Sequence, residues 1–477
     1  MVKANFNKSK IIATIGPASM SADILEKMIR AGVDVCRINA SHGNHIMQQE
    51  VVDTVRRLNE EKKFKVAILY DLQGPKMRIG EVLNNEIYLE ENEFLSLTVN
   101  DCIGDNKKIQ IRYPYFYNDV QVGDTVLIDD GKIELQVTAK EENEIVTAKV
   151  IHGGVLSSKK GINLPYTKIS LPSLTEKDRI DLDFALKNDI EWIGLSFVRS
   201  ANDIVELKKI ISAAGKSCRV IAKIEKPEAI RDIDNIIIAS DGIMVARGDL
   251  GVEMAMEKVP VMQKMIVRKA TAASKPVIIA TQMMESMITS YRPTRAETND
   301  VANAVFDGAD ALMLSAETSV GAYPLKVIEA MSKIISIAES EDVIYNRHVP
   351  PVKDSKSFIS DSVCFNSCVM AKQSGAKGII AMTHSGYTAF KISSQRPNVN
   401  IFIFTDNLEI LNTMSLVWGV RAFYYNKYES TDNTIRDIKM FLKQKGYLEA
   451  GDMVINVFST PLDEKAMANT IKLNFIT

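Results

Sequence analysis

Cysteine pairs, long apolar runs and an excess of either charge are all scarce in this sequence, and each scarcity removes a class of protein. The five cysteines (Cys36, Cys102, Cys218, Cys364 and Cys368) are odd in number, and the one close pair is a C-x3-C without histidine at zinc spacing. Neither a disulfide framework nor a zinc knuckle is expected, so the thiols read as reduced and structural. Lys and Arg number 58 against 60 Asp and Glu, a net charge of -2, which offers no basic field for nucleic acid. Nowhere do about 18 apolar residues follow one another, and the opening MVKANFNKSKIIATIG has no apolar stretch of signal-peptide length. A cytoplasmic protein with no membrane partner is expected. No low-complexity tract and no short repeat is present either, which excludes a solenoid.

What is present is length and alternation. At 477 residues the chain is expected to form two to four domains. Short runs rich in Val and Ile alternate with longer amphipathic stretches, the pattern of βα units around a parallel sheet. Strand candidates begin at Lys10 (KIIATIG), Val33 (VDVCRIN), Lys65 (KVAILYDL), Asp189 (DIEWIGLSF), Arg219 (RVIAKIE), Asp241 (DGIMVARGD), Pro276 (PVIIATQ) and Ala309 (ADALMLSAE). That makes eight, the number of a closed (β/α)8 TIM barrel.

The spacing breaks once, between the third and fourth runs, where about a hundred residues show strand alternation, turns such as DDGK and little helical period. Residues 72–168 are therefore expected to be an inserted all-β lid domain, with the barrel formed by 1–71 and 169–340. After a polar linker containing His348, Pro350 and Pro351, residues 341–477 repeat an α/β pattern (GAKGIIAMTHSG, NVNIFIFTD, WGVRAFYY, GDMVINVF), expected to form an open, mostly parallel C-terminal sheet.

In a parallel barrel the active site lies at the carboxyl ends of the strands, and the misfit polar residues fall there: Arg37, Asn39 and Ser41, then Asp71, Ser196, Lys223 with Glu225, Asp249 and Thr281. Lys223 and Glu225 are two apart on a strand and leave the same face. Glu225 and Asp249 come from adjacent strands about 4.8 Å apart, close enough to share one hard cation. With no histidine or cysteine beside them, Mg2+ (or Mn2+) suits better than zinc. A buried ion pair that only braces the barrel is the plain alternative, but buried pairs add little stability, so four ionic groups at one mouth favour function. Arginine, lysine and a divalent ion form a clamp for a migrating phosphoryl group. No G-x4-G-K-[ST] occurs, so a kinase without a P-loop is implied.

VIAKIEKPEAI (residues 220–230) resembles the active-site signature of the pyruvate kinase family. TIGP, RINASHG, GPKMRIG, KKGINLP, MVARGDLGVE, ATQMMESM and RPTRAE stand around it in the family's order, and the resemblance runs through essentially the whole chain. It implies transfer of the phosphoryl group of phosphoenolpyruvate to ADP, giving pyruvate and ATP, the final step of glycolysis. It further implies that Arg37, Gly248, Asp249 and Thr281 hold phosphoenolpyruvate, Lys223 steadies the phosphoryl group, and Glu225 and Asp249 bind Mg2+. Asn39, Ser41, His42, Arg78 and Lys160 match nucleotide-contacting positions, under the lid. Asn39, Ser41, Asp71 and Leu72 match the positions that bind K+ in potassium-dependent members. A homotetramer is also implied.

The chain departs from that pattern at D-L-Q-G-P-K, where Lys76 replaces a family glutamate. An ammonium about 4 Å from a carboxylate or phosphate supplies on the order of 4 kcal/mol at an effective dielectric near 20. Lys76 is therefore expected to stand in for K+, making K+ unnecessary; a solvated surface lysine is the plain alternative. Ala316 replaces a usual glycine in LSAET and asks for negative φ or a helix start. In the C-terminal region THSGYT, with Thr383, Ser385, Gly386 and Thr388, reads either as a phosphate cradle for a sugar-phosphate or nucleotide effector or as a plain capped turn. Two rival readings of the whole chain remain at this level. One is a magnesium-dependent lyase or aldolase barrel, which would lack the lid and make no ATP; the other is a non-catalytic metabolite sensor, against which the intact Arg37, Lys223, Glu225 and Asp249 argue.

Overall fold

The computed structural model describes residues 7–427, 430–461 and 466–477; the first six residues of the N-terminal segment discussed above lie outside it. Eight parallel strands close a barrel in chain order: Lys10–Thr14, Val33–Asn39, Ala67–Asp71, Trp192–Leu195, Arg219–Ile224, Gly242–Ala246, Val277–Ala280 and Ala311–Leu314. The eighth pairs with the first, Lys10 opposite Ala311. All eight expected strands are present, most of them shorter than their apolar runs. The sixth run changes state at its end, where Arg247–Glu253 is a helix rather than strand. Asp249 lies in its first turn, where a carboxylate meets the positive end of the helix dipole.

Because these strands are covered on both faces, their period of two does not appear as polar alternation; it decides which of two apolar cores a residue enters. Ile12, Val35, Leu69, Trp192, Ile221 and Met244 fill the barrel interior, while Ile11, Cys36, Ile68, Ile193, Val220 and Ile243 pack outward against the helices. Leu416, from the C-terminal region, joins the interior cluster, and Trp192 Nε1 donates to Thr413 O at 3.4 Å. The end of the barrel facing the C-terminal sheet is thereby plugged, and the other end carries the polar residues.

The segment between the third and fourth strands forms a six-stranded sheet and a two-stranded ribbon, Glu86–Leu89 with Gly154–Ser157, around its own core of Leu95, Leu97, Ile109, Val126, Leu135 and Val146. One four-residue helix, Phe116–Asp119, interrupts the expected all-β region because Phe116 is drawn fully into that core. The C-terminal sheet runs Val420–Tyr424, Asn400–Thr405, Gly378–Met382, Met453–Phe458, Thr470–Phe475. Its first four strands are parallel, and the fifth is antiparallel to Met453–Phe458. Ala316 begins the short helix Ala316–Ser319, the helix start that its methyl group asks for.

Candidate active site

Strand parity builds the site. Two residues beyond interior Ile12, Val35, Leu69 and Ile221 stand Thr14, Arg37, Asp71 and Lys223, so each side chain continues an apolar column and emerges at the same mouth. Asp71, fully buried, is the hub. Its Oδ2 accepts a forked pair from Arg37, Nε at 2.8 Å and Nη2 at 2.6 Å, while Arg37 Nη1 donates to Thr14 Oγ1 at 2.9 Å. Asp71 Oδ1 lies 3.1 Å from Lys223 Nζ, an ion pair without hydrogen-bond alignment. Lys223 Nζ also meets Glu225 Oε1 at 3.0 Å and donates to Ser196 Oγ at 2.7 Å. Glu225 Oε2 accepts from the amide of Phe197 at 2.6 Å.

The titration behaviour follows from these contacts. Burial opposes the charged form of Lys223, but Asp71 and Glu225 outweigh it and hold the ammonium above the ordinary lysine range. Burial likewise opposes the charged form of Asp71, and Lys223 and Arg37 reverse the sign, keeping it below the usual carboxylate range. Glu225 goes the other way, pushed up to about 7 by burial and, against the pull of Lys223, by the negative charge of Asp249. The negative charge of Asp249 acting on the Glu225 carboxylate is a repulsion that a hard cation bound by both would remove. Among the described residues no three His, Cys, Asp or Glu side chains cluster as a metal site. An ion at Glu225 and Asp249 would therefore take its other ligands from substrate and water, the habit of Mg2+ rather than of zinc.

Gly248 and Thr281 meet directly: the Gly248 amide donates to Thr281 Oγ1 at 2.8 Å, and that hydroxyl donates to Ala280 O at 2.6 Å. Thr281 and Gln282 both have positive φ, 67° and 56°, a conformation that a β-branched residue enters only where the surroundings impose it. Arg247 supplies part of the constraint, donating to Thr281 O at 2.7 Å while paired with Asp300.

Two cavities adjoin the mouth. One, about 510 Å³, is lined by Thr14, Arg37, Asn39, His42 and Ser315 with apolar Ile15, Met20, Met47 and Val320. The other, about 680 Å³, lies between the inserted domain and the barrel and is lined by Lys76, Asp130 and Tyr166 on one side and Arg247, Gly248 and Asp249 on the other. Burial, Arg37, Arg78 and Lys76 together lower the His42 imidazole below its ordinary value, so these four groups share one field.

Not every expected contact faces those cavities. Lys160 pairs with Asp129 at 2.9 Å within the inserted domain, and Arg78 Nη1 donates to Lys159 O. Of the K+ positions, Asn39 Oδ1 accepts from the Ser41 amide at 3.1 Å, Asp71 is engaged as described, and Leu72 O accepts from Ser196 Oγ at 2.6 Å. In the C-terminal loop, Thr388 is buried and Gly386 has φ of 84°. The Gly386 and Tyr387 amides are capped by the loop's own Thr383 and Ser385 hydroxyls at 3.0 and 3.4 Å.

Thr14, Ser315 and Arg247 were missed as site residues. Thr14 was within reach of the parity rule, because it follows interior Ile12 by two; Ser315 and Arg247 carry no comparable signal. Ser196 bridges Lys223 and Leu72 O, so Ser196→Ala removes one hydrogen bond to the ammonium while leaving both carboxylates in place. Steady-state assays are expected to show kcat lower by about tenfold, the worth of roughly 1.5 kcal/mol for a hydrogen bond to a charged group.

The chain is similar to known proteins along nearly its whole length. Residues 6–328 match the family model described as pyruvate kinase, barrel domain, and residues 361–474 the one described as pyruvate kinase, alpha/beta domain. The pyruvate kinase of Corynebacterium glutamicum is 39% identical over 470 residues, 98% of each chain. That of Geobacillus stearothermophilus is 39% identical over 477 residues, covering 98% of this chain and 80% of the relative. A crystal structure of a pyruvate kinase from Cryptosporidium parvum superposes with a TM-score of 0.93 at 35% identity, covering 99% of this chain and 96% of that one.

Proposed function

This chain belongs to the pyruvate kinase family, and on that premise we propose which of its groups carry the reaction. The family's enzymes are phosphotransferases that convert phosphoenolpyruvate and ADP to pyruvate and ATP, with a divalent metal. In the transfer, the bond between phosphorus and the enol oxygen breaks, a bond from phosphorus to the terminal phosphate oxygen of ADP forms, and the enolate carbon then takes a proton.

Lys223 is the group that neutralises charge on the moving phosphoryl. The observation that carries this reading is the Lys223 ammonium, held protonated at the mouth by Asp71 and Glu225 and fixed in position by Ser196. Arg37 offers the carboxylate or phosphate of phosphoenolpyruvate the one hydrogen on each Nη that Asp71 and Thr14 leave free, the guanidinium being oriented in advance by both. The Gly248 amide and the Thr281 hydroxyl form the opposite edge of the substrate site, and Thr281 orders the water through which the enolate is protonated. Mg2+ held by Glu225 and Asp249 would supply further neutralisation of the phosphoryl oxygens. Asn39, Ser41, His42, Arg78 and Lys160 receive the nucleotide, with the cavity beside Asn39 and His42 taking its base; closure of the inserted domain brings Lys160 toward the phosphates, which then compete with Asp129 for its ammonium. The test is ATP formation from phosphoenolpyruvate and ADP with Mg2+ in a coupled assay. A lyase would consume phosphoenolpyruvate without making ATP, and that result would remove this reading.

Lys76 replaces potassium. It lines the cleft shared with Gly248 and Asp249 and its charge reaches His42, while the Asn39, Asp71 and Leu72 oxygens among the potassium positions already accept from the Ser41 amide, from Arg37 with Lys223 alongside, and from Ser196. In tetramethylammonium buffer the parent is expected to gain less than about twofold from K+. Lys76→Glu removes one positive charge and adds a negative one, so it is expected to need K+ for most of its turnover, a gain of about tenfold or more. A parent strongly activated by K+ would reject the substitution. The chain is further read as a homotetramer, for which the exposed Ile359 on the helix Phe358–Ser374 provides apolar contact surface; sedimentation decides it. The loop of Thr383, Ser385, Gly386 and Thr388 is read as the effector's phosphate contact, opened when its own hydroxyl caps are displaced.

A further inference from the structure

The inserted domain is joined to the barrel by two connections, and each crosses from one apolar core to the other within a few residues. Going out, Leu72 belongs to the barrel core and Met77 to that of the inserted domain; coming back, Ile169 and Leu171 pack on the inserted domain's core and Leu174 on the barrel's. One loop, residues 196–199 after the fourth barrel strand, touches both connections. On the outgoing side Ser196 Oγ donates to Leu72 O at 2.6 Å. Gly74, at φ of 70°, packs so close that a Cβ there would lie 2.9 Å from atoms of both Ser196 and Phe197. On the returning side the Arg199 guanidinium donates to Ile169 O at 2.6 Å and to Leu171 O at 2.7 Å. The same loop reaches the mouth: Ser196 Oγ accepts from Lys223 Nζ at 2.7 Å, and the Phe197 amide donates to Glu225 Oε2 at 2.6 Å.

We propose that Arg199 is a positioning residue that gears the movement of the inserted domain to the seat of Lys223 and Glu225, acting through residues 196–199. This rests on the reading of those two groups as the ones that meet the phosphoryl group and its metal. The arm is rigid at its base. The Arg199 amide donates to Asp203 Oδ2 at 2.8 Å in the capped first turn of the helix Ala201–Ala213, and the Ala201 amide donates to Asp232 Oδ2 at 2.8 Å. At its tip the planar guanidinium spends two of its five donors on main-chain carbonyls two residues apart, a grip that a single ammonium nitrogen reproduces only in part. Those carbonyls belong to the two residues whose side chains sit on the inserted domain's core, so a swing of that domain pulls directly on Arg199. Phe197, two residues back, has φ of 52°, a conformation that an aromatic residue keeps only while its surroundings impose it. Slack at Arg199 releases that constraint and draws the Phe197 amide away from Glu225.

Hydrogen exchange of the full chain, read by mass spectrometry without metal or substrate, tests the link apart from turnover. In Arg199→Met, faster exchange is expected both in residues 168–175 and in the peptide that carries the Phe197 amide. Mn2+ binding, followed by the electron paramagnetic resonance of the free ion, is expected to weaken about tenfold, the usual cost of losing a group that orients a metal ligand. A fall of about tenfold in kcat for ATP formation accompanies it. Arg199→Lys keeps the charge and offers one nitrogen to two carbonyls, so it is expected to fall between in all three measurements. It also carries the test if a thermal melt shows the Met variant unfolded. Faster exchange confined to residues 168–175, with Mn2+ affinity unchanged, makes Arg199 a brace of the connection alone and overturns the inference. Exchange at Phe197 that does not change in either variant overturns it equally. A parent that forms no ATP removes the functional reading beneath the inference, and the inference falls with it; that outcome is recognised in the parent, before any variant is compared.

Discussion

Lys223→Met is expected to lower kcat by at least about a thousandfold while leaving the barrel folded. The size of the effect follows from what the ammonium is for: a preorganised positive charge at the place where negative charge moves is worth on the order of 10²–10³ in rate per donor, and a full charge in a water-poor mouth is worth more than a neutral donor. Folding survives because methionine has nearly the length of lysine and the partners have other supports. Asp71 keeps its fork from Arg37, and Glu225, already pushed up to about 7, takes a proton when its cation is removed. Two measurements check this. Stopped-flow single turnover reports the chemical step, and a thermal melt shows that the loss is not unfolding. Lys223→Arg restores the charge with the wrong shape, so it is expected to recover only part of the rate. Turnover of Lys223→Met within tenfold of the parent would exclude Lys223 from the transfer.

Much of this site is legible in the sequence, and the reason is geometric. A strand of period two in a closed barrel carries interior residues straight to the mouth, so Arg37, Asp71 and Lys223 announce themselves as polar residues at the ends of apolar columns. The fold followed from the same alternation, including the interruption by the inserted domain. What stayed hidden were choices between partners. Sequence cannot say that Asp71 is taken by Arg37 and Lys223 together, or that Lys160 turns to Asp129, because the competing partners lie far apart along the chain and differ by a rotamer. The helix over Arg247–Glu253 was concealed by a continuous apolar lead-in, and its short, partly exposed length gives no helical period. The C-terminal strand Thr470–Phe475 pairs on one edge only and is half-exposed, so it lacks the apolar run by which its four parallel neighbours were recognised.

The hub of the mouth makes the other large prediction. Asp71→Asn keeps shape and removes one negative charge from between two buried cations, leaving Glu225 as the nearest carboxylate to Lys223 and the Arg37 fork facing a neutral amide. Removing one member of a buried ion pair costs about 3–5 kcal/mol, because the remaining charges keep their desolvation penalty and lose their compensation. A clear fall in melting temperature is therefore expected along with lost turnover, whereas Lys223→Met loses turnover with little of the fall.

The pH dependence separates the causes further. In the parent, Lys223 is held above the ordinary lysine range, so its contribution to stability is complete below that range and disappears only as pH rises through the elevated folded value. Without the carboxylate of Asp71, a principal source of that elevation, the folded value drops, and the alkaline limb of kcat/KM is expected to move to lower pH. Burial now dominates the ammonium, and the proton is lost earlier. An alkaline limb that stays in place in Asp71→Asn would mean that Glu225 alone holds the Lys223 proton, and that Asp71 serves Arg37 rather than both cations.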